Sequence, residues 1–192
     1  MSGAALKLVQ KYKKEVIPEM KKIFHLKNDL AVPKIVKVVV NTGLGRIMMA
    51  ASQGKVRDEL LNDLKKDFSL ITGQWPKEGK AKKSISAFKT REGMTIGLST
   101  TLRGKRMNDF LERLIKIVLP RVRDFRGIDQ QAFDEKGNLN IGIKEMVVFS
   151  EVPAQSSKHL FGLEITAVTS AKTKEQAVEL FKLSGFPIKK GQ

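Results

Sequence analysis

Apolar positions recur at helical spacing from Leu6 to Phe24, where Leu8, Val9, Tyr12, Val16, Met20, Ile23 and Phe24 are separated by lysines. That pattern predicts an amphipathic N-terminal helix over about residues 4–25, interrupted or restarted at Pro18. Pro33 breaks the chain. The β-branched run Lys34 to Val40 then reads as a strand, closed by a turn at Asn41-Thr-Gly-Leu-Gly45. A second helix is expected from Ser52, as N-cap, to Thr72, because Val56, Leu60, Leu64, Phe68 and Ile71 share one stripe and Gly73 follows as a stop.

Ile85 to Lys89 and Thr95 to Leu102 are short and β-prone, and both read as strands. Helical period returns from Arg106 to Leu119 and is expected to end at Pro120. Asp134-Glu-Lys-Gly-Asn138 reads as a turn, and Glu145 to Phe149 and Gly162 to Val168 as two more strands. Thr173 with Gln176 three residues on is a capping-box pattern, and Gly185 a C-terminal stop, so a last helix lies between them. The order predicts an α+β fold, a sheet backed by helices. With no repeat and no clean linker, a single domain over residues 1–192 is expected.

Charge turns this fold into a functional question. The chain has 36 Lys and Arg against 20 Asp and Glu, a net charge of +16, while 41% hydrophobic residues suffice for a real core. Such a domain repels itself unless a polyanion relieves it, and nucleic acid is the first expectation. An anionic membrane is the rival, through the Lys-rich N-terminal helix acting as a membrane- or partner-binding scaffold. A secretory signal is not expected from the charged N-terminal stretch, and no apolar run reaches spanning length. The absence of cysteine excludes disulfides and thiolate metal sites, and the expected compartment is reducing and cytoplasm-like.

The cations concentrate between Gly73 and Arg106, which hold nine Lys and Arg but only Glu78 and Glu92 as acids. Lys80, Lys82 and Lys83 fall in an expected loop over residues 73–84 beside Gly79, and Arg91, Arg103, Lys105 and Arg106 extend the same field. A solvated charge run is the plain alternative. Trp75, the sole tryptophan, either staples this loop to the core or stacks on a base or ribose, and a lone tryptophan weighs toward the anchoring role. Phe88, alternating with Ile85, is expected in the core.

Enzymatic readings fare worse. Gly43-Leu44-Gly45 lacks the third glycine of a dinucleotide loop, since position 48 is Met48. It is better read as a turn that presents Asn41 and Thr42. His25 and His159 have no partner at ligand spacing, and Ser156, His159 and Glu164 lack a nucleophile elbow. Asp58 with Glu59, and Asp134 with Glu135, look like surface charge. The chain is not expected to be an enzyme or to hold a cofactor or metal.

Leu102-Arg-Gly-Lys-Arg-Met-Asn-Asp-Phe-Leu-Glu-Arg-Leu-Ile115, with Leu119-Pro-Arg-Val-Arg-Asp-Phe-Arg-Gly127, closely resembles the bacterial-type large-subunit ribosomal protein number five family. The resemblance continues through Phe133 to Asn138, Gly142 to Glu145, Gly162 to Thr166 and Gly185 to Pro187, and backward through Asn41 to Gly45 and Thr72 to Pro76. It implies a mainly antiparallel sheet of RRM-like or ferredoxin-like character, covered by helices on one face, with a protruding basic loop. It also implies a structural role in the central protuberance, with 5S rRNA and large-subunit rRNA as partners. Peptidyl-site tRNA and neighbouring ribosomal proteins, including one in the small-subunit head, complete the set. No membrane is implied. The positions matching the family's 5S-binding elements are Asn41, Thr42, Gly43, Gly45, Phe88, Lys89, Arg91 and Thr101. Those matching its tRNA-facing loop are Gly73, Gln74, Trp75, Lys77, Lys80, Lys82, Lys83 and Ser84. The loop departs from the common family pattern at Trp75, where lysine is usual, and at Lys77, Glu78 and Gly79.

Overall fold

Five strands, β1 (Ile35–Gly43), β2 (Lys77–Lys80), β3 (Thr95–Leu102), β4 (Leu139–Ile143) and β5 (Leu163–Thr169), form one antiparallel sheet in the order β2-β3-β1-β5-β4. The computed structural model describes residues 8–50, 55–88, 90–152 and 160–189, with Phe88 described in its backbone alone. The helices are α1 (Leu8–Lys11), α2 (Ile17–Phe24), α3 (Gly45–Ala50), α4 (Lys55–Thr72), α5 (Gly104–Arg113), α6 (Leu119–Arg121) and α7 (Lys174–Ser184). The α+β expectation therefore holds. The chain divides into two compact units, Met1–Val38 with Arg103–Ile141 and Thr166–Gln192, and Val39–Leu102 with Gly142–Ile165.

In the first unit, two prolines reshape the helices without ending them. A π turn over Tyr12–Val16 joins α1 to α2 ahead of Pro18, and another over Leu114–Val118 joins α5 to α6 ahead of Pro120. A proline ring clashes with the carbonyl four residues back, here Lys14 and Lys116, and supplies no N–H. Widening the preceding turn accommodates the ring: Ile17 N–H reaches Tyr12 O and Leu119 N–H reaches Leu114 O, five residues back. The expected stop at Pro120 is thus corrected, because the helical path continues to Arg121. His25 ends α2 in the left-handed region, with its N–H on Lys21 O.

Val16, Met20, Val32 and Leu180 form a buried cluster, with Tyr12, Phe24 and Ile35 against it. Phe181 meets Phe133 and Phe186 edge to face at centroid separations of 5.6 and 4.9 Å. The cap of α7 follows the sequence reading. Thr173 Oγ1 accepts from Gln176 N–H, and Gly185 closes the helix at φ +98°, where a side chain would be strained. The turn at Asp134 is tied by Asn138, whose backbone and side-chain N–H groups donate to its carboxylate at 2.7 and 2.8 Å.

In the second unit, α3 and α4 pack on β3, with Leu64, Phe68, Ile71 and Leu98 fully or almost fully buried. Three expectations change here. The turn expected over Asn41–Gly45 is instead the end of β1, which runs to Gly43, followed directly by α3 from Gly45. Ile85 to Lys89 is not a strand: Ser86–Phe88 forms a 3-10 turn, and Ile85 and Thr90 exchange backbone hydrogen bonds across a hairpin. Lys89 and the expected N-cap Ser52 lie outside the described residues. Glu145 to Phe149 is likewise no strand but a 3-10 turn, because Met146 and Phe149, three apart, are both buried. The strand before β5 lies earlier in the chain, as β4, whose Leu139 and Ile143 are buried and which the sequence reading did not place.

Candidate nucleic-acid interface

The site residues that the resemblance implies belong to the second unit, whereas the flanking cations Arg103, Lys105 and Arg106 belong to the first, and the strands of the second unit sort the described ones onto two surfaces. Along β1, Val40 and Thr42 are buried while Asn41 and Gly43 are exposed, as period-two alternation requires. Lys77 pairs with Ser99 and Gly79 with Gly97 across β2 and β3. Leu44 N–H donates to Ile96 O at 2.8 Å, which brings β1 against β3 in antiparallel register. Asn41 Nδ2 lies 3.4 Å from Glu164 Oε2 on β5. The face opposite α4 thus carries Lys77, Ser99, Thr101, Asn41 and Glu164, set among glycines 79, 97 and 43.

This face is low and mostly uncharged. Gly97 is fixed from within, because a Cβ there would stand 2.8 Å from Thr42 O. Gly43 and Gly45 have nothing within 4 Å of an added Cβ, so the open space beside them is free for a partner. Thr42, expected at the interface, turns inward and donates its hydroxyl to Gly162 O at 2.7 Å. It holds β1 to the chain entering β5 and offers a partner nothing. Thr101 is exposed, as expected of a contact residue.

The opposite face of β2 explains one departure from the family pattern. Glu78 points toward α4, where Lys65 Nζ lies 2.6 Å from one carboxylate oxygen and Thr95 Oγ1 donates to the other at 2.8 Å. The hydrogen bonds from Lys65 and Thr95 hold the Glu78 carboxyl below the usual carboxylate range, outweighing its partial burial. Its negative charge is neutralised inside the fold, and the basic surface keeps its sign.

The second surface is the hairpin between β2 and β3. Gly93 N–H donates to Ala81 O and Ala81 N–H to Met94 O, while Ser84 Oγ accepts from Glu92 N–H at 2.9 Å. Lys82, Lys83, Ser84, Ile85, Ser86 and Ala87 are exposed without interruption. Lys82, Lys83 and Arg91 have no ion-pair partner among the described residues. The hairpin gathers Lys82, Lys83 and Ser84 with Arg91, which the resemblance had grouped with the sheet. Phe88 lies at its tip by backbone, and its expected core role falls outside the described side chains. Ile85 is 47% exposed, against the core face expected for it.

Gly73, Gln74 and Trp75 lie in the short connection between α4 and β2, and Lys77 in β2 itself, so none of the four belongs to the hairpin. Gly73, at φ +68°, ends α4, and Lys77 opens β2. Trp75 is 59% exposed, which corrects its expected anchoring role. Pro76, buried beside it, takes that part. Ser99 and Gly79 are among the face residues that sequence reasoning left out of the sheet surface, with Lys77, Gly97 and Glu164. The register of β2 on β3 brings Ser99 and Gly79 there, and Lys77-Glu-Gly-Lys80 has no strand propensity to announce it.

An open, hydroxyl-bearing sheet face beside a cationic hairpin is the kind of α+β surface that suits RNA. Residues 28–91 match the family model described as Ribosomal protein L5, and residues 95–188 match the model of the same ribosomal family's C-terminus. Among curated relatives, the large ribosomal subunit protein uL5 of Syntrophomonas wolfei is 48% identical over 183 residues, covering 95% of this chain and 99% of its own. Its counterpart in Halothermothrix orenii is 47% identical, covering 94% and 97%, and that of Thermotoga maritima 45% identical, covering 96% of each. The chain belongs to the ribosomal protein L5 family, and is a structural protein of the ribosome rather than an enzyme.

Proposed function

We propose that this chain is a large-subunit protein that binds 5S rRNA on the sheet face of its second unit and reaches peptidyl-site tRNA with the hairpin over residues 81–94. The relatives' names, which are those of a large-subunit protein, support the coarse part of this reading. The observation that carries the finer part is the separation of two chemistries within one unit. Asn41, Ser99 and Thr101 offer amide and hydroxyl groups at the level of the sheet, suited to ribose 2′-OH and base edges. Lys82, Lys83 and Arg91 offer charge on an extended arm, suited to phosphates at a distance.

The same reading places the protein in the central protuberance, with further contacts to large-subunit rRNA and a bridge to a protein of the small-subunit head. Its mechanism is neutralisation plus shape, with no bond made or broken. A filter-binding titration against 5S rRNA and a random transcript of equal length tests it. The expected result is a clear preference for 5S rRNA at physiological salt, and equal affinity for the two would overturn the reading.

A further inference from the structure

Trp75 precedes β2 on the strand's open side. Residues 75, 77 and 79 are exposed while Pro76 is buried and Glu78 turns toward α4, so the alternation of β2 already governs Trp75. Extending the Lys77 to Ser99 register by two residues sets Trp75 across from Thr101, just as it sets buried Pro76 across from buried Thr100. Trp75 therefore shares a surface with Thr101, Ser99 and Asn41. The hairpin cations lie beyond the other end of β2: Lys82 is seven residues on, up to roughly 20 Å of extended chain.

An indole left 59% exposed forgoes much of the stabilisation that its burial would give the fold. Its neighbours do not suit an apolar protein knob. Lys77 is an exposed cation two positions along the same side of the strand, Thr101 and Ser99 are hydroxyls, and beyond the Lys77–Ser99 pair Gly79 and Gly97 carry no side chain at all. A flat π surface, a cation at about one nucleotide's spacing and a low floor together match a base, its phosphate and its ribose.

We propose that Trp75 is a stacking platform for an unpaired base of 5S rRNA, with Lys77 neutralising a phosphate beside that base. The proposal rests on the 5S-binding reading of the sheet face. It adds a subsite at Trp75 and separates this residue from the tRNA-facing hairpin.

Trp75 is the only tryptophan, so the emission of the unmodified full-length chain reports on this one position. Titration with 5S rRNA should quench it, with a midpoint equal to that of filter binding, whereas tRNA should bind without quenching. Trp75→Ala should weaken 5S binding by about 5- to 150-fold, the range of a single base stack, and Trp75→Phe should recover most of the loss. Because the indole is exposed, both variants should keep the parent thermal midpoint. Binding of 5S rRNA with unchanged emission and a neutral Trp75→Ala would overturn the stacking proposal while leaving the 5S reading intact. Quenching by tRNA, or by a small-subunit-head protein and not by 5S rRNA, would overturn it in favour of another occupant. Failure of the parent chain to bind 5S rRNA at all would overturn both.

Discussion

The sheet face and the hairpin of the second unit are joined by the same two strands, yet they present different chemistries. On the sheet face the strand register fixes the side chains, most groups are short and the charges few, Lys77 on β2 and Glu164 on β5. In the hairpin, backbone bonds at Ala81, Ile85, Thr90 and Gly93 hold the frame while long cations extend into solvent. Short fixed groups discriminate between partner shapes, and long charged ones attract any polyanion. The Lys-rich N-terminal helix shows that cation count alone carries no such meaning. There Lys21 pairs with Asp29 and Lys22 with Glu19, and the apolar stripe beneath them is part of a core.

The largest expected effect comes from removing the support common to both surfaces. Phe68→Ala, in α4 beneath β3, should cost about 3–5 kcal/mol in denaturant unfolding and abolish both binding activities together. Retention of either activity in a folded variant would mean that the two surfaces do not share this core.

The hairpin comes next, and its effect should be confined to charge. Replacing Lys82, Lys83 and Arg91 by Ala should leave stability within about 0.5 kcal/mol, since all three are exposed. The slope of log affinity for tRNA against log salt should fall by about 2 to 3, at roughly 0.7 to 0.9 for each neutralised phosphate. An unchanged slope would remove the hairpin from the tRNA contact.

A smaller effect is expected where β2 is fastened to α4. Glu78→Gln should cost about 1–2 kcal/mol at neutral pH by leaving Lys65 without its carboxylate. Because the Glu78 carboxyl is held below its ordinary value, its contribution is complete above the unfolded-state value and is lost as pH falls through the folded-state one. The difference between parent and variant should therefore shrink on acidification below about pH 4.5, near the carboxylate reference range. A difference that persists in acid would assign the stabilisation to packing. Smallest of these, and confined to the first unit, Thr173→Ala should cost about 1 kcal/mol through the lost cap of α7, with both RNA affinities unchanged.

The regions that were legible in the sequence are those whose local signals agree with their tertiary partners. Thr95 to Leu102 is a strand as read, and α7 begins and ends at the residues its cap and stop signals mark. What escaped was set by partners distant in sequence. Lys77-Glu-Gly-Lys80 is polar and glycine-bearing, and becomes a strand because β3 lies beside it. The segment read as a strand from Ile85 sits at a hairpin tip where only the Ile85–Thr90 bridge forms, so Ser86–Phe88 turns. The π turns before Pro18 and Pro120 hide behind a rule that reads proline as a stop.

The candidate interface followed the same division. Motif resemblance supplied most of the candidate residues, but not which face each one takes. Thr42 turns inward and Trp75 outward because of strand alternation, and Arg91 joins Lys82 and Lys83 because a hairpin, not a strand, follows Ala81.

The most direct test of the two-surface account is the salt dependence of 5S rRNA binding, measured on the parent chain, on Asn41→Ala with Thr101→Val, and on the triple hairpin variant. The account predicts that the sheet-face pair lowers affinity at every salt concentration with the slope unchanged. It also predicts that the hairpin variant follows the parent within about twofold, as exposed cations remote from the contact should. A hairpin variant that loses 5S affinity as fully as it loses tRNA affinity, beside a neutral sheet-face pair, would contradict it.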